Sequence, residues 1–343
     1  MKSKITCGRR PIATNQNKKR RIFSISTVLA VSFGSLVFFA VLAVLGISLY
    51  SGLANTRELL LDKATFQMST VQRNLTSVLD PMEHRARFIA ELIYDGKIDV
   101  NDPQSMSDGL IASLAGARYI AGVGFLTPEM TMKMALRENR KVIESYHKGS
   151  LISFDLIKRM RENPTGSWGP LIYAPDAHET VMSYRQPVVK DGEFLGVVVI
   201  AIPVSVVSDA VKTKGLGTDE GRFILYGKDH VLSQQGFHVN SDVITYEGIT
   251  PKLSEIKDPI LSTIWTAPRQ PFRLIKAGKN FEGHFTNIDG DYHQFIYSSL
   301  DGYTDKPLII GYRLPYEDAS KQLFRLVWAG VVGLAILVIS ILI

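Results

Sequence analysis

Two long apolar stretches bracket this chain, and they dictate what everything between them can become. Residues 23–49 offer 27 consecutive positions without a charge, inside an apolar segment running from Ile22 to Tyr50. Residues 326–343 offer 18 more and are still apolar at the last position. A bilayer core roughly 30 Å thick takes about 20 apolar residues in a helix. The first stretch is therefore long enough to span, and the second is expected to continue beyond residue 343. A chain threaded through lipid at both ends leaves about 270 residues for a water-exposed domain.

Charge gives that domain a side. Residues 1–21 hold eight Lys and Arg and no acid, against a net +6 for the whole chain, so the remainder carries −2. Basic residues flanking an apolar span stay cytoplasmic, which places residues 52–325 outside. The basic character thus reports topology and asks for no nucleic acid. A cleaved signal peptide competes, with Gly52-Leu53-Ala54 as a small-x-small site. Signal cores run to about 7–15 apolar residues, so an uncleaved anchor is expected. The single cysteine, Cys7, lies in the basic tail. The outer domain must hold without disulfides, which a domain of this size manages as two lobes.

After the first span, Leu53, Leu60, Ala64, Met68, Val71, Leu75, Val78 and Met82 recur mostly at steps of three or four. That is a narrow helical seam, expected to kink at Pro81, resume over residues 85–94 and end at Asp95-Gly96. Its membrane-proximal part is expected to pair with a second subunit. Ser26, Ala30 and Gly34 would allow close helix approach within the membrane.

From Tyr119 the period becomes two. Strands are expected over residues 131–138 and 141–146 (joined at Asn139-Arg140), then an amphipathic helix over 154–162. A hairpin of 180–189 and 194–202 follows, turning at Lys190-Asp191-Gly192. A short helical connector, 204–214, leads to strands at 222–226, 230–233, 272–277, 281–286, 292–300 and 308–314. A helix at 317–325 then enters the second span. The fold class expected is α+β: a long N-terminal helix and two antiparallel-sheet lobes flanked by two transmembrane helices. The boundaries are 1–21 basic tail, 22–50 first span, 51–98 long helix, 99–216 membrane-distal lobe, 217–316 membrane-proximal lobe and 317–343 signalling helix with second span.

No phosphate loop, dinucleotide fingerprint or nucleophile elbow occurs, so no catalytic residue and no cofactor are expected in this segment. The seven histidines are scattered without ligand spacing, and Asp289-Gly290-Asp291 reads as a hairpin turn, so no metal is expected. An anchored hydrolase and a ligand-free scaffold remain open beside a small-molecule binding module. The richest polar-aromatic stretch is 166–189, where Trp168, Tyr173 and Tyr184 bring flat apolar area. Asp176, His178, Thr180, Ser183 and Arg185 there can orient a ligand. The pocket residues expected are Trp168, Tyr173, Asp176 and Tyr184, then Phe125, Tyr146 and Thr180.

The stretch GSWGPLIYAPDAHETVMSYRQPVVKDGEFLGVVVIAIPVSVVSDAV resembles the membrane-distal module of double Cache sensor domains, whose lobes are PAS-like. RFILYGKDHVL and KPLIIGYRLP are similar to the membrane-proximal module. The resemblance implies an extracytoplasmic small-molecule sensor in a bacterial inner membrane, acting as a parallel homodimer. The family's amino-acid-binding branch carries Arg-x-Trp-Tyr after the second strand and an Asp ending the Gly-Val-Val strand. Here those places read Tyr146-His147-Lys148-Gly149 and Ala201, so a standard amino acid or amine is not the expected ligand. The FILYGKDHVL segment resembles second lobes of class III nucleotide cyclases. That output is expected ahead of a diguanylate cyclase, histidine kinase or chemoreceptor.

Overall fold

The computed structural model describes residues 25–137, 142–146, 151–174, 179–209, 221–234, 237–238, 250–288, 290–314, 327–333, 335–336 and 339. The turn at Asn139-Arg140, the 147–149 element, the helix at 317–325, residues 1–21, Asp176 and the second half of the connector lie outside them. So does much of the second apolar stretch. The chain divides into two compact units, residues 1–54 with 321–343, and Asn55–Ser320.

In the first unit, helix α1 (Ile25–Tyr94) exposes Leu29, Phe33, Leu36, Phe39 and Ile47. Among the described residues it is the one helix long and apolar enough to cross a membrane, and its apolar stretch is not buried in protein. Residues 327–333 are also helical. A Cβ on Gly330 would meet Leu45 at 3.5 Å, so the two apolar segments touch.

In the second unit α1 is the spine. Ala64, Met68, Val71, Leu75, Leu79, Met82, Ala86, Ile89 and Ile93 form one buried stripe in the largest core cluster. Steps of three or four keep them on one face. One expectation changes here. The helix runs through Pro81 as one continuous segment rather than as two. From Ala64 onward the seam is buried by the chain's own sheets, while Leu53 before it stays exposed. At the far end, Gly96 adopts φ 71°, and Gly96 and Lys97 donate back to Ile93 and Leu92 carbonyls, a glycine-type helix stop.

Helix α2 (Pro103–Ser113) starts on an Asp102 cap with Pro at its first turn. The distal sheet holds β1 (Gly122–Leu126), β2 (Thr131–Leu136), β3 (Val142–Tyr146), β4 (Ser167–Trp168), β5 (Ile172–Ala174), β6 (Glu179–Lys190) and β7 (Glu193–Pro203), with helix α3 (Leu151–Glu162) between β3 and β4. Its order is β3-β2-β1-β7-β6-β4, with β5 also paired to β6. The β6–β7 turn places Asp191 and Gly192 at φ 50° and 85°, the conformation that two-residue hairpins need.

Helix α4 (Val204–Asp209) follows. The proximal sheet comprises β8 (Arg222–Tyr226), β9 (His230–Gln234), β10 (Phe237–His238), β11 (Arg269–Lys276), β12 (Lys279–Ile288), β13 (Asp291–Leu300) and β14 (Leu308–Leu314). A short helix α5 (Pro259–Ser262) precedes β11. The order is β10-β9-β8-β14-β13-β12-β11. Both sheets are antiparallel throughout. This is the expected α+β arrangement of one long helix and two antiparallel sheets. Contacts of Arg57 with Phe285, Lys279 with Gln72 and Tyr303 with Asp80 place the proximal sheet along residues 57–80 of α1. Trp168 with Glu83 and Arg85 with the end of α2 place the distal sheet farther along.

Candidate functional site

Strand alternation gives the distal sheet two different faces. Val123 and Phe125 of β1, Val198, Ile200 and Ile202 of β7, and Met182 and Tyr184 of β6 join the core that includes α1. Leu126, Val197 and Val199 pack beneath Leu156, Ile157 and Met160 of α3 on the other face. Period two therefore sends Ser183 and Arg185 to the α3 side.

A cavity of about 340 Å³ opens there, at the C-terminal end of α3. Its polar lining includes Arg159, Glu162, Ser167, Arg185 and Asp305, and Trp168 lines it as well. After α3 ends, the segment folds back so that Ser167 and Trp168 pair with Arg185 and Tyr184, and Gly169 N–H donates to the Ser183 carbonyl at 2.9 Å. A Cβ at Gly169 would lie well inside contact distance of Arg185 Cζ, so a side chain there would displace the guanidinium.

Arg185 is only 5% exposed. Its Nε–H donates to Ser183 Oγ at 3.2 Å. Its two terminal amino groups meet no acceptor among the described residues. Burial lowers its pKa, nearby Arg159 lowers it further, and Asp305 opposes both. Asp305 stays outside ion-pair distance and accepts from Tyr226 Oη at 2.6 Å. Burial, and then that carboxylate, push the Tyr226 hydroxyl pKa well up.

The residues singled out from sequence are distributed unevenly. Trp168 is nearly buried, its indole N–H donating to Glu83 of α1 at 2.9 Å. Its ring meets Tyr184 edge-on at 5.4 Å and Tyr303 of the proximal lobe at 5.7 Å. Trp168 and Tyr184 thus come together as expected, but in the core that joins α1 to both lobes. Burial, then Glu83, raise the Tyr184 hydroxyl pKa. Phe125, 1% exposed, belongs to the same core. Phe125 and Tyr184 therefore face away from the cavity, because they sit in odd register with Arg185. Thr180 is buried and pairs across strands with half-buried Tyr173, away from Arg185. The backbone of Tyr146 closes β3 opposite Thr131, while its side chain and Asp176 lie outside the described residues. Sequence reading named Arg185 only as an orienting group and missed Arg159 and Asp305. A charged residue in the middle of a long, largely buried strand was the available signal for Arg185. Nothing local marked Asp305, which a different lobe supplies.

A second, larger groove of about 550 Å³ lies between α1 and α2, lined by His84, Arg85, Phe88 and Lys97 among others. Arg85 is already committed, donating to the Ser113 and Ala115 carbonyls at 2.7 and 3.0 Å, where it closes the end of α2. Among the described residues no three His, Cys, Asp or Glu side chains converge as a metal site requires.

No protein-family model matches the sequence, and no curated protein matches it. The fold is shared with the extracellular domain of the putative histidine kinase vpHK1S-Z8, at TM-score 0.51 and 13% identity over 78% of this chain and 96% of that one. The sensory domain of the Campylobacter jejuni chemoreceptor Tlp3 aligns at TM-score 0.48 and 12% identity, covering 78% and 96%. The ligand-binding domain of the Pseudomonas aeruginosa PAO1 amino acid chemoreceptor PctC, in complex with GABA, aligns at 0.49 and 15%, covering 76% and 99%.

Proposed function

We propose that this chain is the extracytoplasmic sensor portion of a bacterial transmembrane receptor, reporting a small molecule bound in its distal lobe. One observation carries the reading. A fold shared with the extracellular domain of a putative histidine kinase stands in one chain with a bare apolar helix long enough to span a bilayer. The proposed layout is a cytoplasmic basic tail 1–21, a span at 22–50, the spine helix to 98, a distal lobe at 99–216 and a proximal lobe at 217–316. A signalling helix and second span follow, in a parallel homodimer of an inner membrane. The pocket lies on the α3 side of the distal sheet, bordered by Trp168, with Tyr173, Asp176 and Thr180 nearby in sequence.

Ligand closure there shifts the distal sheet against α1 and the proximal lobe. Such a ligand can bias two states only by its differential affinity, typically about 1–3 kcal/mol of coupling. Support for a nucleotide cyclase output is the FILYGKDHVL resemblance. The similar kinase and chemoreceptor domains support those outputs as alternatives.

The test is a thermal-shift screen of the 343-residue chain in lipid nanodiscs against a broad metabolite panel. A ligand at about 100 times its Kd stabilises by about 2.7 kcal/mol, or several degrees in Tm for a domain of this size. A panel with no stabilising compound, together with measurable ester or phosphate hydrolysis, would replace the sensor with an anchored enzyme.

A further inference from the structure

We infer that the cavity beside α3 takes an oxyanion of a small metabolite on Arg185, and that this anion replaces Asp305 as the charge facing it. The inference rests on the sensor reading above and narrows it to a ligand class and a coupling step.

A guanidinium does not give up its proton in a protein. A buried cation without a partner is costly, so one held this way is waiting for a counter-charge. Arg185 meets those conditions. Ser183 takes its Nε–H, and the two terminal amino groups are left without an acceptor among the described residues. They can bind one planar carboxylate or two phosphate oxygens as a fork. Gly169 keeps the approach clear, since any side chain there would strike the guanidinium. Arg159 adds a second positive charge from the rim. The cavity, about 340 Å³, lies in the range that small organic acids fill.

Asp305 supplies the coupling. It lies in the segment between β13 and β14 of the proximal lobe, yet it lines the distal cavity. Tyr226 anchors it. Two residues earlier, Tyr303 packs on Trp168 and donates to Asp80 of α1. An oxyanion on Arg185 removes the attraction holding Asp305 towards the distal lobe and adds repulsion in its place. Segment 301–307 then releases, and the joint between the lobes loosens. The apo state keeps Asp305 as a substitute counter-charge at longer range.

The experiment titrates the 343-residue chain in nanodiscs, by calorimetry, with succinate, acetate, inorganic phosphate and uncharged succinamide. Wild type should bind at least one anion and not succinamide, and the preferred anion separates carboxylate from phosphate sources. Arg185→Gln should weaken that binding by at least about tenfold, the loss of a charge-assisted pair. Asp305→Asn should strengthen it by roughly three- to tenfold, and Arg273→Gln, on exposed β11, should leave it unchanged. Unchanged affinity in either Arg185→Gln or Asp305→Asn overturns the inference. Should Arg185→Gln fail to fold, Asp305→Asn alone decides. A neutral or cationic compound that binds while every anion fails overturns the inference and leaves the sensor reading standing. Failure of the whole metabolite panel removes both.

Discussion

Trp168 is the residue through which sequence and structure assign different jobs, and replacing it with Phe separates them. The structure makes it a pin: its N–H reaches Glu83 on α1, and its ring sits between Tyr184 of the distal sheet and Tyr303 of the proximal lobe. Phe keeps an aromatic ring but cannot donate. A hydrogen bond to a charged acceptor is worth about 1.5–3 kcal/mol. The Glu83 side chain is 31% exposed and also pairs with Arg87 at 3.4 Å, so water and Arg87 take up part of the loss. About 1 kcal/mol should remain. The smaller ring adds about 1 kcal/mol of lost packing against its neighbours. Trp168→Phe should therefore destabilise by about 2 kcal/mol in urea unfolding followed by far-ultraviolet circular dichroism. A cycle with Glu83→Gln isolates the hydrogen bond and should return a coupling of about 1 kcal/mol. Additivity within about 0.3 kcal/mol would refute the pin. So would a variant of unchanged stability that has lost ligand affinity, since that describes a pocket wall.

Three further perturbations test other parts of the fold. Buried His284, beside Trp265, Phe295 and Tyr297, has its pKa lowered to about 4, by burial first and Arg269 second. The unfolded chain takes up that proton near pH 6.5. Stability should thus hold above about pH 6.5 and fall by about 3 kcal/mol towards pH 4. His284→Gln should flatten that part of the pH profile, and an unaltered profile would contradict the assignment. Gly311→Ala would drive a methyl group into the Phe223 ring and should cost at least about 1–3 kcal/mol in the same urea assay. Ala277, at φ 50° in the β11–β12 turn, holds a conformation costing an alanine about 1–2 kcal/mol. Ala277→Asn should raise stability by roughly half that, seen as a higher melting temperature.

Much of the fold was legible because two periodicities dominate it. The helical seam from Ala64 to Met82 buries one face, while the strand-forming runs of β6, β8 and β14 are buried on both faces, so pattern and structure coincide within a residue or two. Helix α2 was missed although Asp102-Pro103 marks its start, because its apolar positions are few. Pro81 misled in the opposite direction: a proline weakens a helix, but the sheets packed on both sides of that position hold α1 together.

The site was less legible for a physical reason. Aromatic residues signal both pockets and cores, and only the strand register decides which face they take. Phe125 and Tyr184 went to the α1 face and Arg185 to the other, a difference of one position between Tyr184 and Arg185. Asp305 reaches the cavity from 120 residues farther along, and that juxtaposition belongs to tertiary structure alone.

A sensing role requires the two-lobed unit to lie outside the membrane, and the chain carries its own control. Cys7 is its only cysteine, and Tyr292 sits strongly exposed beside the β12–β13 turn. A membrane-impermeant maleimide added to intact cells whose outer membrane has been permeabilised should label a Tyr292→Cys variant and leave the wild-type chain unlabelled. Lysis should then expose Cys7. Labelling of Cys7 before lysis, with Tyr292→Cys protected until afterwards, would contradict an extracytoplasmic sensor.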